Sequence, residues 1–259
     1  MKLSWAVRTD PGLRRSSNED SYCTRPDLGL FAVADGMGGH VAGEVASRLA
    51  VETIQTFITE TAGADKNRTW PFGYEPAISL EANRLKAAFR LANRGIANAM
   101  ADSADLRGMA TTASAVLTGK NSACVGHVGD SRIYVLRNGT LEQITEDHSW
   151  VEEQVRAGTM SASAARQHPW RNVVTRALSG GGDPEIDTVE ISPVHGERFL
   201  LCSDGLSAVV PNDAIARILG GDEGGLEGVC ERLVGAANEG GGPDNITVLV
   251  LEVADADVP

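Results

Sequence analysis

Four aspartates, each at one end of an apolar run, are the residues of this chain that could do chemistry together. Leu30-Phe31-Ala32-Val33-Ala34 leads straight into Asp35-Gly36-Met37-Gly38-Gly39-His40, Phe199-Leu200-Leu201-Cys202-Ser203 into Asp204-Gly205, and Val125-Gly126-His127-Val128-Gly129 into Asp130. Gly242-Pro243-Asp244-Asn245 stands at the other end of a run, just before residues 246–251. A short unbroken apolar run bounded by glycine reads as a strand covered on both faces, so each carboxylate sits where a buried strand surfaces. Any single Asp-Gly after a strand reads as a turn. On neighbouring strands, however, the charges converge, and like charges about 4 Å apart repel by roughly 4 kcal/mol at an effective dielectric near 20. Protonation, basic partners or divalent cations must offset that. No lysine adjoins any of these aspartates, and only Asp130 has a near arginine, Arg132. Hard oxygen ligands without cysteine or paired histidine nearby point to magnesium or manganese rather than zinc.

These positions need elements to hold them. Residues 3–8 alternate loosely and read as a first strand, turning at Asp10-Pro11-Gly12. The polar run Arg14-Arg15-Ser16-Ser17-Asn18-Glu19-Asp20 reads, as structure alone, as a solvated loop before a strand at 21–24. Ala46, Leu49, Ala50, Ile54, Phe57 and Ile58 fall on one helical face over residues 43–60, and Leu85, Phe89, Ala92, Ile96 and Met100 do so over 80–101. Between them, 61–79 is a loop with no chemistry assigned. Strands are predicted at 111–117, 123–128 and 132–136, with a turn at Gly119-Lys120-Asn121. Asn138-Gly139 marks a two-residue hairpin into 140–144, and consecutive hairpins mean antiparallel sheet. Residues 145–149 cap a helix over 150–157 that Gly158 ends. The segment 160–172, with His168-Pro169-Trp170, interrupts the strand series and makes 148–172 a candidate flap. Strands follow at 173–178, 186–191 and 198–202, then a helix capped at Asn212, another over 226–237, a strand at 246–253 and a frayed tail at 254–259. Roughly ten strands and four main helices suit two antiparallel sheets packed face to face, each backed by helices.

Composition narrows the class. The chain has 259 residues and no long linker, so one domain is expected over 1–259. Apolar content of 42% allows a substantial core, and aromatic content of only 5% predicts an aliphatic, alanine-rich interior. A net charge of −12 argues against nucleic acid and anionic membrane surfaces, both of which need a basic footprint. Any phosphate-bearing substrate must be drawn in locally. The four cysteines (Cys23, Cys124, Cys202 and Cys230) form no CxxC, and Cys124 and Cys202 lie within apolar strands, which suits a reducing compartment. With no signal segment and no membrane-length apolar run, a cytoplasmic protein without membrane insertion is expected.

The ordered motifs Arg15-Ser16-Ser17-Asn18-Glu19-Asp20, Val33 to His40, Met109-Ala110-Thr111-Thr112, Val128-Gly129-Asp130-Ser131-Arg132, Asp147-His148-Ser149, Ser203-Asp204-Gly205 and Gly242-Pro243-Asp244-Asn245-Ile246-Thr247 cover nearly the whole chain. In that order it resembles the bacterial PP2C-like (PPM) protein serine/threonine phosphatases. The resemblance implies an α+β fold, a four-layer α-β-β-α sandwich, with a dinuclear Mn²⁺ or Mg²⁺ centre between the sheets. It implies that Asp35 bridges two metals, that the Gly36 carbonyl ligates one, and that Asp204 and Asp244 hold the other. Glu19 would lie near the Gly36-side metal, with Asp20 and Asn245 in the outer layer. Asp130 with Asp204 matches a third metal site, and Arg15 matches the arginine that clamps the substrate phosphate. The implied reaction is hydrolysis of phosphoserine and phosphothreonine on proteins by a water that the metals activate.

Two positions depart from the family pattern. Met37 stands where eukaryotic members carry a histidine proposed as general acid. His40, three residues on, is a catalytic candidate for that role, beside the reading of a residue that hydrogen-bonds at a helix start. Ala110 replaces a glycine without touching a ligand. Of the other histidines, His127 is expected to be packed, His148 to serve a turn or cap, His195 to be solvated, and His168, in the candidate flap, to be an exposed loop residue or to contact substrate. The partners implied are phosphorylated proteins, a cognate serine/threonine kinase and its substrates, met by a monomer. A phosphoprotein-binding regulatory module with the same fold is the alternative; a two-metal nuclease is disfavoured by the acidic surface.

Overall fold

A computed structural model describes residues 2–38, 42–64, 67–119 and 122–254. Gly39, His40, Val41, Lys120, Asn121 and the tail beyond Ala254 lie outside the described residues, and with them the His40 candidate, most of the 119–121 turn and the expected frayed end. Eleven strands form two antiparallel sheets. Sheet one has the order β1-β11-β10-β7-β8, from Lys2–Asp10, Ile246–Ala254, Arg198–Cys202, Arg132–Arg137 and Thr140–Gln143. Sheet two has the order β2-β3-β5-β6-β9, from Asp20–Arg25, Leu30–Met37, Ala113–Thr118, Ala123–Val128 and Asp187–Ile191; the two-residue β4, Ala110–Thr111, adds to the end of β3. Helices α1 (Ala42–Glu60) and α2 (Leu80–Asp102) cover sheet two, while α5 (Asp204–Ser207), α6 (Asn212–Leu219) and α7 (Gly225–Glu239) cover sheet one. The expected α-β-β-α sandwich is therefore the observed fold.

Periodicity dictates the layering. Leu30, Ala32 and Ala34 join the core under α1 and α2, where alanines such as Ala46, Ala50, Ala88 and Ala92 let helix and sheet approach closely. Phe31 and Val33 point the other way, into a layer shared with Val116, Val125, Ile133, Val135, Phe199, Leu201, Leu249 and Leu251. Alternation along a strand then puts Asp35 on this inter-sheet side, and likewise His127 after Val125, Ser114 before Val116, Ser203 after Leu201 and Thr247 before Leu249. One end of the layer between the sheets is thus hydrocarbon and the other is polar.

Three expectations need correction. β3 does not stop at Asp35 but runs on to Met37, because Gly36 and Met37 pair with Thr111 and Ala110. Residues 173–178 form no strand; Val174 and Leu178 make single bridges to Ser149 and Thr111 as the segment crosses back from the flap. The cap of α6 is Pro211, and Asn212 is its first residue. The described residues of 61–79 form a loop as expected, with Trp70 buried between Phe57 and Tyr74. The flap itself holds α3 (Trp150–Arg156) and α4 (Ala162–Gln167), each capped by a serine, Ser149 and Ser161.

Candidate metal centre

Asp35 is held by its backbone. Its N–H donates to Thr112 Oγ1 (2.9 Å), and its carbonyl accepts from Thr112 N–H (2.9 Å) and Thr111 Oγ1 (2.8 Å). The adjoining Gly36 has no room for a side chain: a Cβ there would lie 2.1 Å from the Gly43 carbonyl oxygen and 2.5 Å from that of Glu19. This close approach brings the N-terminus of α1, Glu19 and the Gly36 peptide into one wall. Thr111 and Thr112, recognised in sequence only as part of a motif, are thus the residues that fix the orientation of Asp35.

Across the cleft, Asn245 organises the polar loop over 11–19. Its Nδ2 donates to the carbonyls of Pro11 (3.0 Å) and Ser17 (2.8 Å), and its Oδ1 accepts from Glu19 N–H (2.8 Å). That loop presents Arg15, whose Nη2 donates to Asp244 Oδ2 at 2.7 Å, while the other oxygen of Asp244 accepts from Asn245 N–H at 2.9 Å. Half of the Arg15 side chain remains in solvent (53%), so most of its fork stays free for another anion. Asp20 receives Ser203 Oγ–H on Oδ2 (2.8 Å), and its buried Oδ1 has no partner.

Asp35, Asp130, Asp204 and Asp244 line one cavity of about 220 Å³ with Arg15, Glu19, Gly36, Met37, Gly38, Asn172, Val174 and Asn245. Of the residues expected to form the site, every described one but Asp20 lines this cavity; Asp20 lies just behind it. Asn172 and Val174, at the C-terminal end of the flap, were not expected there, and no spacing in the sequence signals them.

The electrostatics confirm convergence. Burial, then the charges of Asp20, Asp204, Asp130 and Asp244, holds the Asp35 carboxyl well above the ordinary carboxylate value. Burial and Asp204 push Asp130 up to about 8, and burial offset by hydrogen bonds from Thr247 and Ser203 leaves Asp20 at about 7. Asp204 rises to about 6 through burial and the charge of Asp244, partly offset by Asp35, Arg15 and Arg132. Carboxylates crowded in this way share protons or cations. Glu19 is raised too, first by burial.

That is the chemistry of a hard-cation site, and the donor set fits Mn²⁺ or Mg²⁺: carboxylate and carbonyl oxygens, an orphaned buried oxygen on Asp20, and no cysteine or histidine among the lining residues. Among the described residues no three histidine, cysteine, aspartate or glutamate side chains are drawn into a closed cage. An octahedral ion that keeps several waters needs only one or two carboxylates, so this does not conflict with the fit.

Two sequence expectations are revised here. Arg132 does not neutralise Asp130; it forks onto Asp147 (2.7–3.0 Å) and also donates to Tyr134 Oη (2.9 Å). His148, expected to serve a turn or cap, is buried with its ring hydrogen-bonded between Gly129 and Asp187. Its Nδ1 accepts from Gly129 N–H (3.1 Å), so its Nε2 carries the proton toward Asp187 Oδ2 (3.0 Å). His127 is packed as expected, between Ser114 Oγ and the Glu146 carbonyl, and burial holds its pKa down to about 4. Through His148 the peptide before Asp130 is tied to the base of the flap.

Comparison with known proteins identifies the family. The Protein phosphatase 2C family model matches residues 14–221. The serine/threonine protein phosphatase PstP of Mycobacterium tuberculosis is 40% identical over 98% of this chain and 46% of that protein, so the chain spans about half its length. The serine/threonine phosphatase stp of Listeria welshimeri is 38% identical over 95% of this chain and 94% of its own. A crystal structure of the PstP catalytic domain in complex with two manganese ions is 39% identical and superposes with a TM-score of 0.81 over 98% of this chain and 99% of that one. With matching motifs, sandwich and acidic cleft, the chain belongs to the protein phosphatase 2C family of metal-dependent serine/threonine phosphatases.

Proposed function

We propose that this chain hydrolyses phosphoserine and phosphothreonine on proteins with two Mn²⁺ or Mg²⁺ ions, held by Asp35, the Gly36 carbonyl, Asp204 and Asp244 with Glu19 alongside, and a third at Asp130 and Asp204. The observation that carries this reading is the convergence of Asp35, Asp130, Asp204 and Asp244 on one cavity with Arg15 and Glu19, where burial and the charges of Asp20, Asp204, Asp130 and Asp244 raise the carboxyl of the half-buried Asp35. Such a cluster must take up protons or cations to offset its charge. Bound there, two hard divalent ions supply a water nucleophile near neutral pH and offset the charge of the phosphoryl group.

The residues of the chain do the rest. Arg15 orients the phosphate with its free guanidinium fork, and its ion pair with Asp244 fixes where that fork points. Asn245 keeps Arg15 and Glu19 in place by holding their loop at three points. Thr111 and Thr112 set the angle of Asp35. His40 is retained as a candidate proton donor to the leaving hydroxyl. Phosphorylated proteins are the substrates, and the opposing enzyme is a serine/threonine kinase of the same cell, met by a monomer. The described residues act as one catalytic unit. No helix among them is long and apolar enough to cross a membrane, and four buried free thiols suit the reducing cytoplasm.

The test is turnover of p-nitrophenyl phosphate and of a phosphothreonine peptide with manganese, after chelation and after readdition. Manganese-dependent turnover of both is expected. A folded protein that binds the peptide but never turns over either substrate would instead identify a phosphoprotein-binding module.

A further inference from the structure

A second cavity, beside the carboxylate one, has no role in the reaction described above. It encloses about 440 Å³, twice the volume of its neighbour, and the two share Asp130, Asn172 and Asp204 as a common wall. Its remaining walls come from the flap, through Val151, Glu152, Ala165, Arg166 and Arg171, and from the turn 207–212 that enters α6.

Charge decides what it could take. Arg132 and Asp147 line it but cancel one another through their forked hydrogen bonds. Arg166 and Arg171 are exposed, and among the described residues neither has an acidic partner. Elsewhere in this chain of net charge −12, arginines are mostly tied down, as Arg8 is by Glu231, Arg90 by Asp183, and Arg198 by Asp222 and Glu252. Glu152 is the lone opposing carboxylate outside the cluster read above as metal-binding and the Arg132 pair. Two unpaired guanidinium groups facing one cavity match a carboxylate or phosphate, which they can bind through paired N–H donors.

Resting on the phosphatase reading, we infer that this cavity receives a second anionic side chain of the substrate, a phosphorylated or acidic residue within about three positions of the phosphoresidue being hydrolysed. The reach is short. Asn172 lines both cavities, and Arg171 is its chain neighbour, about 3.8 Å away at Cα. An extended peptide advances about 3.3 Å per residue, so a side chain two or three positions along lies about 7–10 Å from the scissile group. The arrangement also explains how so acidic a protein could favour anionic segments: attraction comes from the flap, next to the point of reaction.

The experiment compares phosphothreonine peptides that differ only at the three positions on either side of the phosphoresidue, carrying neutral residues, glutamates, a second phosphothreonine or lysines. p-Nitrophenyl phosphate serves as the flank-free reference, all with manganese and the full chain. The expected result is a kcat/KM about tenfold higher for an anion-flanked peptide than for the neutral one, expressed in KM and shrinking as salt rises. In the Arg166→Gln, Arg171→Gln double variant that advantage should fall to about twofold or less, with turnover of the reference and of the neutral peptide unchanged. A gain for both anionic peptides assigns the site to any anion, and a gain for the doubly phosphorylated one alone assigns it to a phosphoresidue; either supports the inference. Equal rates on neutral and anionic flanks, or a preference for lysine, overturn it while leaving the phosphatase reading intact. Absence of turnover on every substrate overturns the reading beneath it.

Discussion

The two cavities that meet at Asp130, Asn172 and Asp204 are built by opposite means. The smaller lies where four strands end, and its walls are held by side-chain hydrogen bonds between distant segments: the Asp35 backbone by Thr112, Asp20 behind the cavity by Ser203, and the 11–19 loop by Asn245. The larger is walled by two short helices of seven and six residues and by turns, and two of its arginines, Arg166 and Arg171, have no acidic partner among the described residues. Chemistry that needs oxygens placed to a fraction of an ångström belongs on the sheet ends, where the ladders resist displacement. Recognition of a variable peptide suits the side where side chains can still move.

The largest expected effect strikes the rigid side. Asp204→Asn or Asp244→Asn should lower kcat by roughly a thousandfold or more and abolish tight manganese binding by calorimetry, because each removes an ionised oxygen from the cation site. Full activity in either variant would remove that residue from the centre.

Stability against pH tests the same crowding without any assay of activity. In chelator-treated protein, the carboxyls of Asp204, Asp20 and Asp130, raised to about 6, about 7 and about 8, stay protonated where the unfolded chain ionises near 3.8. The folded state therefore binds more protons across roughly pH 4–8, so stability is highest at the acid end and falls as pH rises through that window. A fall in Tm of about 5–10 °C from pH 5 to pH 8, worth about 2–3 kcal/mol in a domain of this size, is expected. Saturating manganese should flatten the curve. A Tm that rises with pH in the metal-free protein would show that the carboxylates do not crowd one another.

Smaller effects follow as the change moves outward. Asn245→Ala leaves every direct ligand in place but frees the loop of Arg15 and Glu19, and it should cost about 10–100-fold in activity or metal affinity. On the flap side, Glu152→Gln removes the carboxylate opposing Arg166 and Arg171, and should lower KM for anion-flanked peptides by only about two- to threefold, the scale of a solvent-screened charge. A larger change from Glu152→Gln than from Asn245→Ala, in either direction, would invert the contrast between the two cavities.

Most of the fold was legible because strands and helices announce themselves by period. The unbroken run from Leu30 to Ala34 marked a strand buried on both faces, and it lies between α1 and the inter-sheet layer. The candidate site was legible for different reasons: Asp35, Asp130, Asp204 and Asp244 stand at the ends of apolar runs that convergence explains, whereas Arg15, Glu19, Gly36 and Asn245 were implied only by the resemblance of the ordered motifs, and all eight line one cavity. What escaped was pairing. Arg132 was read beside Asp130 because the two are near in sequence, yet it reaches the more distant Asp147, which is aligned with its fork. Likewise His148 looked like a cap because its neighbours are polar, and the ring lies instead under the flap against Gly129 and Asp187.

By itself the sequence determined which residues could bear the chemistry and that they stand at or beside the ends of buried strands, since alternation and apolar content act locally along the chain. Only the tertiary structure decided which polar groups satisfy one another, where Asn172 stands, and that a second, arginine-lined cavity adjoins the first. Those contacts join residues tens to hundreds of positions apart, as Arg15 does with Asp244, and no local pattern records the geometry that selects them.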